Sequence, residues 1–187
     1  FSPAAVAAVG LSDLYAQVVM RLSHALGAGA IVLSSQDTGR GALAGRDRAM
    51  TQAMLLGFIC GIPIVLVGVL FGRVFISVLG AESSVVALGG VYLSIILAVA
   101  PMRIVGLVGA RCLQGTGDTR TPMYVNGSAN LLNIILTIGL GLGISVFPEL
   151  GIVGVGAATA ISRSYEAVAI TAVIASGWTP LSFTHPW

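Results

Sequence analysis

The chain has 187 residues, of which 56% are hydrophobic and only 9% are charged, and its mean hydropathy is +0.99. A soluble domain carries roughly a quarter charged residues because its surface faces water, so this composition argues against a cytosolic enzyme. A net charge of +2 gives no basic surface for the phosphates of a nucleic acid, and we expect no nucleic-acid partner. The composition predicts a chain whose solvent is the lipid bilayer.

Five apolar segments are predicted to form transmembrane helices, each at least as long as the roughly 20 residues that cross a bilayer. Asp13 and Arg21 interrupt the first segment, and Arg163 and Glu166 interrupt the last. Strands of alternating polarity are absent, which argues against a barrel. The predicted fold is all-α and polytopic, with helices A (3–35), B (49–71), C (84–112), D (121–146) and E (151–176).

Two strongly polar segments are predicted to be loops, residues 36–48 (QDTGRGALAGRDR) and 113–120 (LQGTGDTR). Most arginines outside the helix interiors adjoin these loops, while Arg73 alone flanks the opposite side of the membrane. The positive-inside rule therefore places both loops in the cytoplasm of a multi-pass protein of the cell membrane. The arginines that decide this orientation are Arg40, Arg46, Arg48, Arg111 and Arg120.

The two ends indicate a fragment. The chain starts at Phe1 without an initiator Met, at the outer mouth of predicted helix A, and it carries no signal-peptide pattern. The segment 177–187 turns amphipathic and stops. We expect at least one further helix upstream.

Polar residues recur at helical spacing in three of the predicted helices, so that each set forms one stripe. Such residues avoid lipid, and we expect the stripes to face one another or a hydrated cavity. The middle of each stripe lies about 18–21 Å from the cytoplasmic helix end, a depth at which transporters bind substrates and ions. The stripes consist of Asp13, Gln17, Arg21 and His24 in helix A, Asn126, Asn130, Asn133 and Thr137 in helix D, and Thr159, Arg163 and Glu166 in helix E.

Simpler interpretations of these residues stay open. Asn126 and Asn130 are also typical of hydrogen bonds that join helices, at about 0.6 kcal/mol each. Arg163 and Glu166 have the i, i+3 spacing of a pair that neutralises itself, and His24 fits either a proton-handling role or a packed imidazole. An unpaired Arg at mid-depth costs at least about 2.5 kcal/mol, so a function is the default expectation for intramembrane charges.

Enzyme and metal chemistry are not indicated. No Ser/His/Asp set or metal cluster has a usable spacing, and Cys60 and Cys112 lie in apolar surroundings. The glycines of residues 39–45 lack the final Lys-Ser/Thr of a phosphate loop. We expect no catalytic residues, no metal site and no cofactor beyond a coupling ion.

Three motifs in fixed order resemble the multidrug and toxic-compound extrusion (MATE) family. They are residues 113–123 (LQGTGDTRTPM), 130–137 (NLLNIILT) and 151–163 (GIVGVGAATAISR), with looser matches at 26–35 and 91–101. The resemblance implies a transporter with two six-helix lobes, of which residues 1–187 would be helices two to six of the amino-terminal lobe. The missing first helix and the carboxy-terminal lobe would be its partners.

The resemblance also implies an antiporter that exports organic, often cationic, compounds while protons or Na⁺ enter. Prokaryotic members hold a cation with a first-helix Asp, an Asn and an Asp one turn apart on the fifth helix, and a Thr on the sixth helix. The matching positions here are Asn133, Thr137 and Thr159, so Thr stands where the family has the fifth-helix Asp. Hard cations need charged oxygen ligands, and we expect Glu166 or Asp13, tuned by Arg163 and Arg21, to carry a proton instead.

Two other functions fit parts of the pattern. A flippase for lipid-linked oligosaccharides belongs to the same superfamily, but it should show a more cationic cavity than one in which Asp13 and Glu166 balance Arg21 and Arg163. A membrane fragment or scaffold without transport activity is the other alternative, because five helices alone cannot provide alternating access between two lobes.

Overall fold

The computed structural model describes residues 2–143 and 148–185. Over those residues the regular structure is entirely helical, as expected, and comprises six α-helices. The predicted ends of helix D at 146 and of the lobe at Phe1 and Trp187 lie outside the described residues. The helices are α1 (Pro3–Gly39), α2 (Leu43–Val78), α3 (Ser83–Ala98), α4 (Ala100–Gly115), α5 (Arg120–Leu142) and α6 (Gly151–Ala175).

Predicted helix C (84–112) is wrong as one continuous helix. It is broken at Val99, whose backbone (φ −100°, ψ 12°) leaves the helical region, and α3 and α4 are bent by 44° at the break. Pro101 explains the position, because proline lacks an N–H and its ring clashes with the carbonyl four residues earlier. Within the first turn of α4, the missing N–H costs no hydrogen bond.

The predicted loop 36–48 is also wrong in extent. The helix α1 continues to Gly39 and α2 begins at Leu43, so only three residues connect them. Gly41 adopts φ +72°, a left-handed conformation that glycine tolerates best, and Ala42 N–H donates to the Asp37 carbonyl at 2.9 Å. Polarity alone marked this segment as a loop, although its second half is the first turn of α2.

Three helices of the described chain, α1, α2 and α5, are long and apolar enough to cross a membrane, or four if the bent pair α3 and α4 counts as one span. The predicted count of five is therefore not confirmed. The helix α6 carries Arg163 and Glu166 near its middle, and these charges lower its hydropathy. At 36 residues, α2 is about 54 Å long and exceeds the hydrocarbon core of about 30 Å.

The chain divides into two compact units. Unit 1 comprises Phe1–Met20, Ile62–Ala100 and Asn130–Ser162, and unit 2 comprises Arg21–Gly61, Pro101–Ala129 and Arg163–Trp187. Each unit has its own buried apolar residues. In unit 1 they include Ala8, Ile76, Leu93, Tyr92 and Ile152, and in unit 2 they include Met50, Ile104, Val108, Leu113 and Ile170.

Four glycines on one face of α2 let other helices approach closely. In unit 2 a Cβ at Gly61 would lie 2.5 Å from Pro101 Cα, and in unit 1 a Cβ at Gly68 would collide with Leu97. Small residues allow such close backbone approach between membrane helices, where packing rather than water drives association. All four are buried; they are Gly57, Gly61, Gly68 and Gly72.

The segment after α6, residues 177–185, which we call the tail, packs on the start of α2 within unit 2. Arg46 and Asp47 form a buried ion pair at 2.8 Å. Arg46 also donates to the Pro180 carbonyl, and the Ser182 hydroxyl donates to Asp47 Oδ2 at 2.7 Å. Leu181, only 1% exposed, adds an apolar anchor. The two charges thus satisfy each other and hold the tail.

Candidate functional site

In unit 1, α5 and α6 are joined through polar side chains that the sequence predicted to face a cavity. Asn133 Nδ2 donates to Thr159 Oγ1 at 3.4 Å, and the Thr159 hydroxyl in turn donates to the Val155 carbonyl at 3.1 Å. Both side chains are half-buried. This pair can offer two hydrogen-bond acceptors to a ligand, namely the amide oxygen of Asn133 and the second lone pair of the Thr159 hydroxyl oxygen.

A cavity of about 460 Å³ lies beside this pair. Thr137 lines it one turn beyond Asn133 on α5, and Val155 lines it one turn from Thr159 on α6. The walls of the cavity are almost entirely apolar, and a largely apolar pocket of this size is typical of sites for small organic molecules. The lining consists of Ala5, Val6, Val9, Gly10, Thr137, Ile152 and Val155.

Glycines at the start of α6 bring its backbone close to neighbouring helices of unit 1. A Cβ at Gly156 would lie 3.2 Å from Tyr92 Cδ2, and one at Gly154 would collide with the Leu140 carbonyl. The Leu140 carbonyl also accepts a hydrogen bond from Leu150 N–H at 2.9 Å. The absence of a side chain at Gly154 lets α6 approach α5 closely, and at Gly156 it lets α6 approach α3.

The charged residues of α6 lie in unit 2. Arg163 Nη1 and Glu166 Oε2 are 2.7 Å apart, and Glu166 is 7% exposed. A carboxylate this deeply buried needs a cation nearby, since taking an unpaired charge out of water costs several kcal/mol. Arg163 is the cation that lies within hydrogen-bond distance of this buried carboxylate.

The asparagines nearer the start of α5 are placed differently. Asn126 Nδ2 donates to the Pro122 carbonyl of its own helix at 2.9 Å, so its amide serves α5 itself. Asn130 is exposed and has a polar interaction of its own. The hydrogen bond of Asn126 therefore does not join α5 to α6.

The stripe of α1 is solvent-accessible in the structure. Asp13, Gln17, Arg21 and His24 are all exposed, and His24 has an interaction partner. Among the described residues neither Asp13 nor Arg21 takes part in an ion pair. The two stand eight positions apart on one helix, about 12 Å, so they do not neutralise each other.

Sequence reasoning missed a second α5–α6 contact, which lies in unit 2. The hydroxyls of Ser128 and Tyr165 are 3.1 Å apart. The signal was present in the antiparallel order of the helices, because Ser128 precedes Asn133 by about as many residues as Tyr165 follows Thr159. The sequence analysis also did not identify Arg103. Arg103 is a half-buried cation inside predicted helix C, and it has an interaction partner.

Comparison with known proteins is consistent across sequence and structure. The MatE family model matches residues 1–138. "Probable multidrug resistance protein NorM" of Thermotoga maritima is 31% identical over 175 residues, which is 93% of this chain and 38% of that protein. The "FAD transporter" of Shewanella oneidensis is 30% identical over 158 residues, 84% of this chain and 35% of that protein.

A solved structure has the same fold. The outward-facing conformation of a multidrug resistance MATE family transporter of the MOP superfamily matches with a TM-score of 0.91 at 24% identity, over 98% of this chain and 40% of that one. The chain thus spans less than two fifths of the length of these relatives.

Proposed function

Because the chain belongs to the MATE family, we propose that it is part of a secondary antiporter that exports organic, often cationic, compounds across the cell membrane. The family is one of transporters, which agrees with a non-enzymatic role. Residues 1–187 would form a partial amino-terminal lobe, with a first helix and a carboxy-terminal lobe completing the transporter. The observation that carries the proposal is the Asn133–Thr159 pair beside an apolar cavity of about 460 Å³.

The cavity supports an organic substrate. Its described lining has one hydroxyl, that of Thr137, among aliphatic and glycine residues. An apolar body gains about 25 cal/mol for each Å² that it removes from water. The same lining carries no cation for a pyrophosphate, which favours drug export over a flippase for lipid-linked oligosaccharides.

The coupling ion is proposed to be a proton. By family resemblance Asn133, Thr137 and Thr159 would hold a cation, but these side chains offer neutral oxygens, whereas hard cations are held chiefly by carboxylates. Glu166 on α6 is a buried carboxylate with Arg163 within hydrogen-bond distance, whereas Asp47, the other buried carboxylate of the described chain, pairs with Arg46 and holds the tail. Protonation of Glu166 would remove the charge that holds Arg163 and free it to rearrange. Asp13 is the second candidate.

The test is dye efflux driven by a pH gradient in the full-length transporter. We expect Glu166→Gln to lower the rate at least about tenfold, because the neutral amide cannot exchange a proton. Glu82→Gln is the matched control, since Glu82 is exposed and its side chain does not cap α3. Replacing Na⁺ in the buffer should leave the wild-type rate unchanged. If Glu166→Gln and Asp13→Asn both keep full pH-driven efflux, neither residue carries the proton.

A further inference from the structure

A second depression lies in unit 1, far along α2 from its charged start. Its volume is about 250 Å³, and we call it the α2–α3 groove. One wall is α2 and the other is α3. The groove is lined by Val69, Leu70, Arg73, Gly90, Val91, Ser94 and Ile95.

The floor of the groove exists because Gly90 has no side chain. A Cβ at Gly90 would lie 2.9 Å from Arg73 Cα, so the two helices cross there at backbone distance. The walls stay open: Val69 is 54% and Leu70 is 70% exposed. Aliphatic side chains exposed to this degree on a membrane helix are suited to contact with acyl chains.

Arg73 closes one end of the groove. It is exposed, and over residues 2–143 and 148–185 no hydrogen-bond or ion-pair partner holds its side chain. In the orientation that the positive-inside rule predicts, Arg73 flanks the side of the membrane opposite to the two polar loops. Beside Arg73 the Ser94 hydroxyl is occupied, donating to the Gly90 carbonyl at 2.8 Å.

We propose that the α2–α3 groove binds an anionic phospholipid. The acyl chain lies along Val69, Leu70 and Ile95, and the phosphate receives the Arg73 guanidinium, whose paired N–H groups match phosphate oxygens. The orientation derived from the arginines places this lipid in the outer leaflet. The proposal depends on membrane insertion and is independent of drug export.

Lipid binding to the full-length protein in detergent micelles, measured by native mass spectrometry, tests the site. Phosphatidylglycerol should bind more tightly than phosphatidylcholine, and Arg73→Gln should weaken phosphatidylglycerol binding about fivefold, the factor expected for one interfacial cation. Val69→Trp, which fills the groove and keeps the charge, should weaken both lipids. Arg120→Gln, which removes an exposed arginine outside the groove, should change neither.

Three outcomes would overturn the proposal. Equal losses in Arg73→Gln and Arg120→Gln would mean that any interfacial arginine suffices. Unchanged binding in Val69→Trp would remove the acyl chain from the groove. Competition by water-soluble glycerol 3-phosphate at the same concentration would indicate a phosphate site that needs no lipid.

Because lipid binding is measured without transport, a variant inactive in efflux, such as Glu166→Gln, should still bind phosphatidylglycerol normally, which separates this proposal from the proposed function.

Discussion

The Thr159 hydroxyl makes two hydrogen bonds, one to its own helix and one from Asn133 on α5. If the pair only joined helices, its loss would cost about 0.6 kcal/mol and leave transport intact. If the pair belongs to the transport site, the same small loss of stability accompanies a large loss of efflux. A single substitution therefore separates the two interpretations.

We predict that Thr159→Val in the full-length transporter lowers the free energy of unfolding by no more than about 1 kcal/mol and lowers dye efflux at least about tenfold. Thr171→Val is the control, because Thr171 also lies on α6 and bonds only its own helix, to the Ala167 carbonyl at 2.8 Å. Unfolding in detergent and efflux in proteoliposomes give the two numbers. Equal efflux in both variants would assign Asn133–Thr159 to helix packing.

Some contacts between individual side chains were predicted from the sequence, and others were not. The spacing of Asn133 and Thr159 along their helices was visible in the sequence, and the structure brings these two together. The contact between Ser128 and Tyr165 was missed, because periodicity within one helix does not reveal it and only the register between the two antiparallel helices does. Asn126 shares the stripe of Asn133, yet its amide bonds its own backbone.

At the level of helices, close packing at glycine residues is the main determinant of the distance between neighbouring helices. We predict that Gly68→Ala destabilises the protein by about 1–3 kcal/mol, because the added methyl group overlaps the buried Leu97 and one helix must shift. Gly29→Ala is the control, since no atom lies within 4 Å of its added Cβ, and it should be neutral or slightly stabilising. Thermal unfolding of both variants in one detergent provides the comparison. Equal midpoints would contradict the close crossing.

The tail gives a second prediction at this scale. Ser182→Ala removes a hydrogen bond to the Asp47 carboxylate, a type worth about 1.5–3 kcal/mol. Amide hydrogen exchange of residues 179–185 should therefore accelerate at least about tenfold. Ser35→Ala, whose exposed hydroxyl bonds its own helix, should leave that exchange unchanged. A tail that exchanges at the same rate in both variants is not held by Asp47.

The apolar runs in the sequence predicted which helices exist, but they did not predict where the helices begin and end. Polarity placed Arg46 and Asp47 in a loop, but both lie in α2 because they satisfy each other and the tail. That tertiary reason cannot be read from local composition. The break at Val99 lies close to Pro101, but proline alone does not predict a break, because Pro63 also lies in an apolar run and α2 continues through it.

For the whole molecule, composition alone predicted a membrane protein, and the described helices include three, or four with the bent pair, that are long and apolar enough to cross a membrane. The count of five depended on α6, in which Arg163 and Glu166 lower the hydropathy. The family was predictable from three ordered motifs, and the MatE match over residues 1–138 confirms it. The roles of the stripe residues stay predictions, since they depend on how the complete transporter surrounds them.

The most direct test of the account is the accessibility of Thr137, which lines the cavity beside Asn133. The full-length transporter is prepared with Cys60 and Cys112 replaced by Ala and with the substitution Thr137→Cys. This protein is treated with a charged, membrane-impermeant thiol reagent, once in the presence of an exported dye and once in its absence. We expect the thiol to react and the dye to slow the reaction at least about tenfold, because substrate and reagent occupy the same cavity. An unreactive thiol, or labelling that the dye leaves unchanged, would contradict a substrate cavity between α1, α5 and α6 of unit 1.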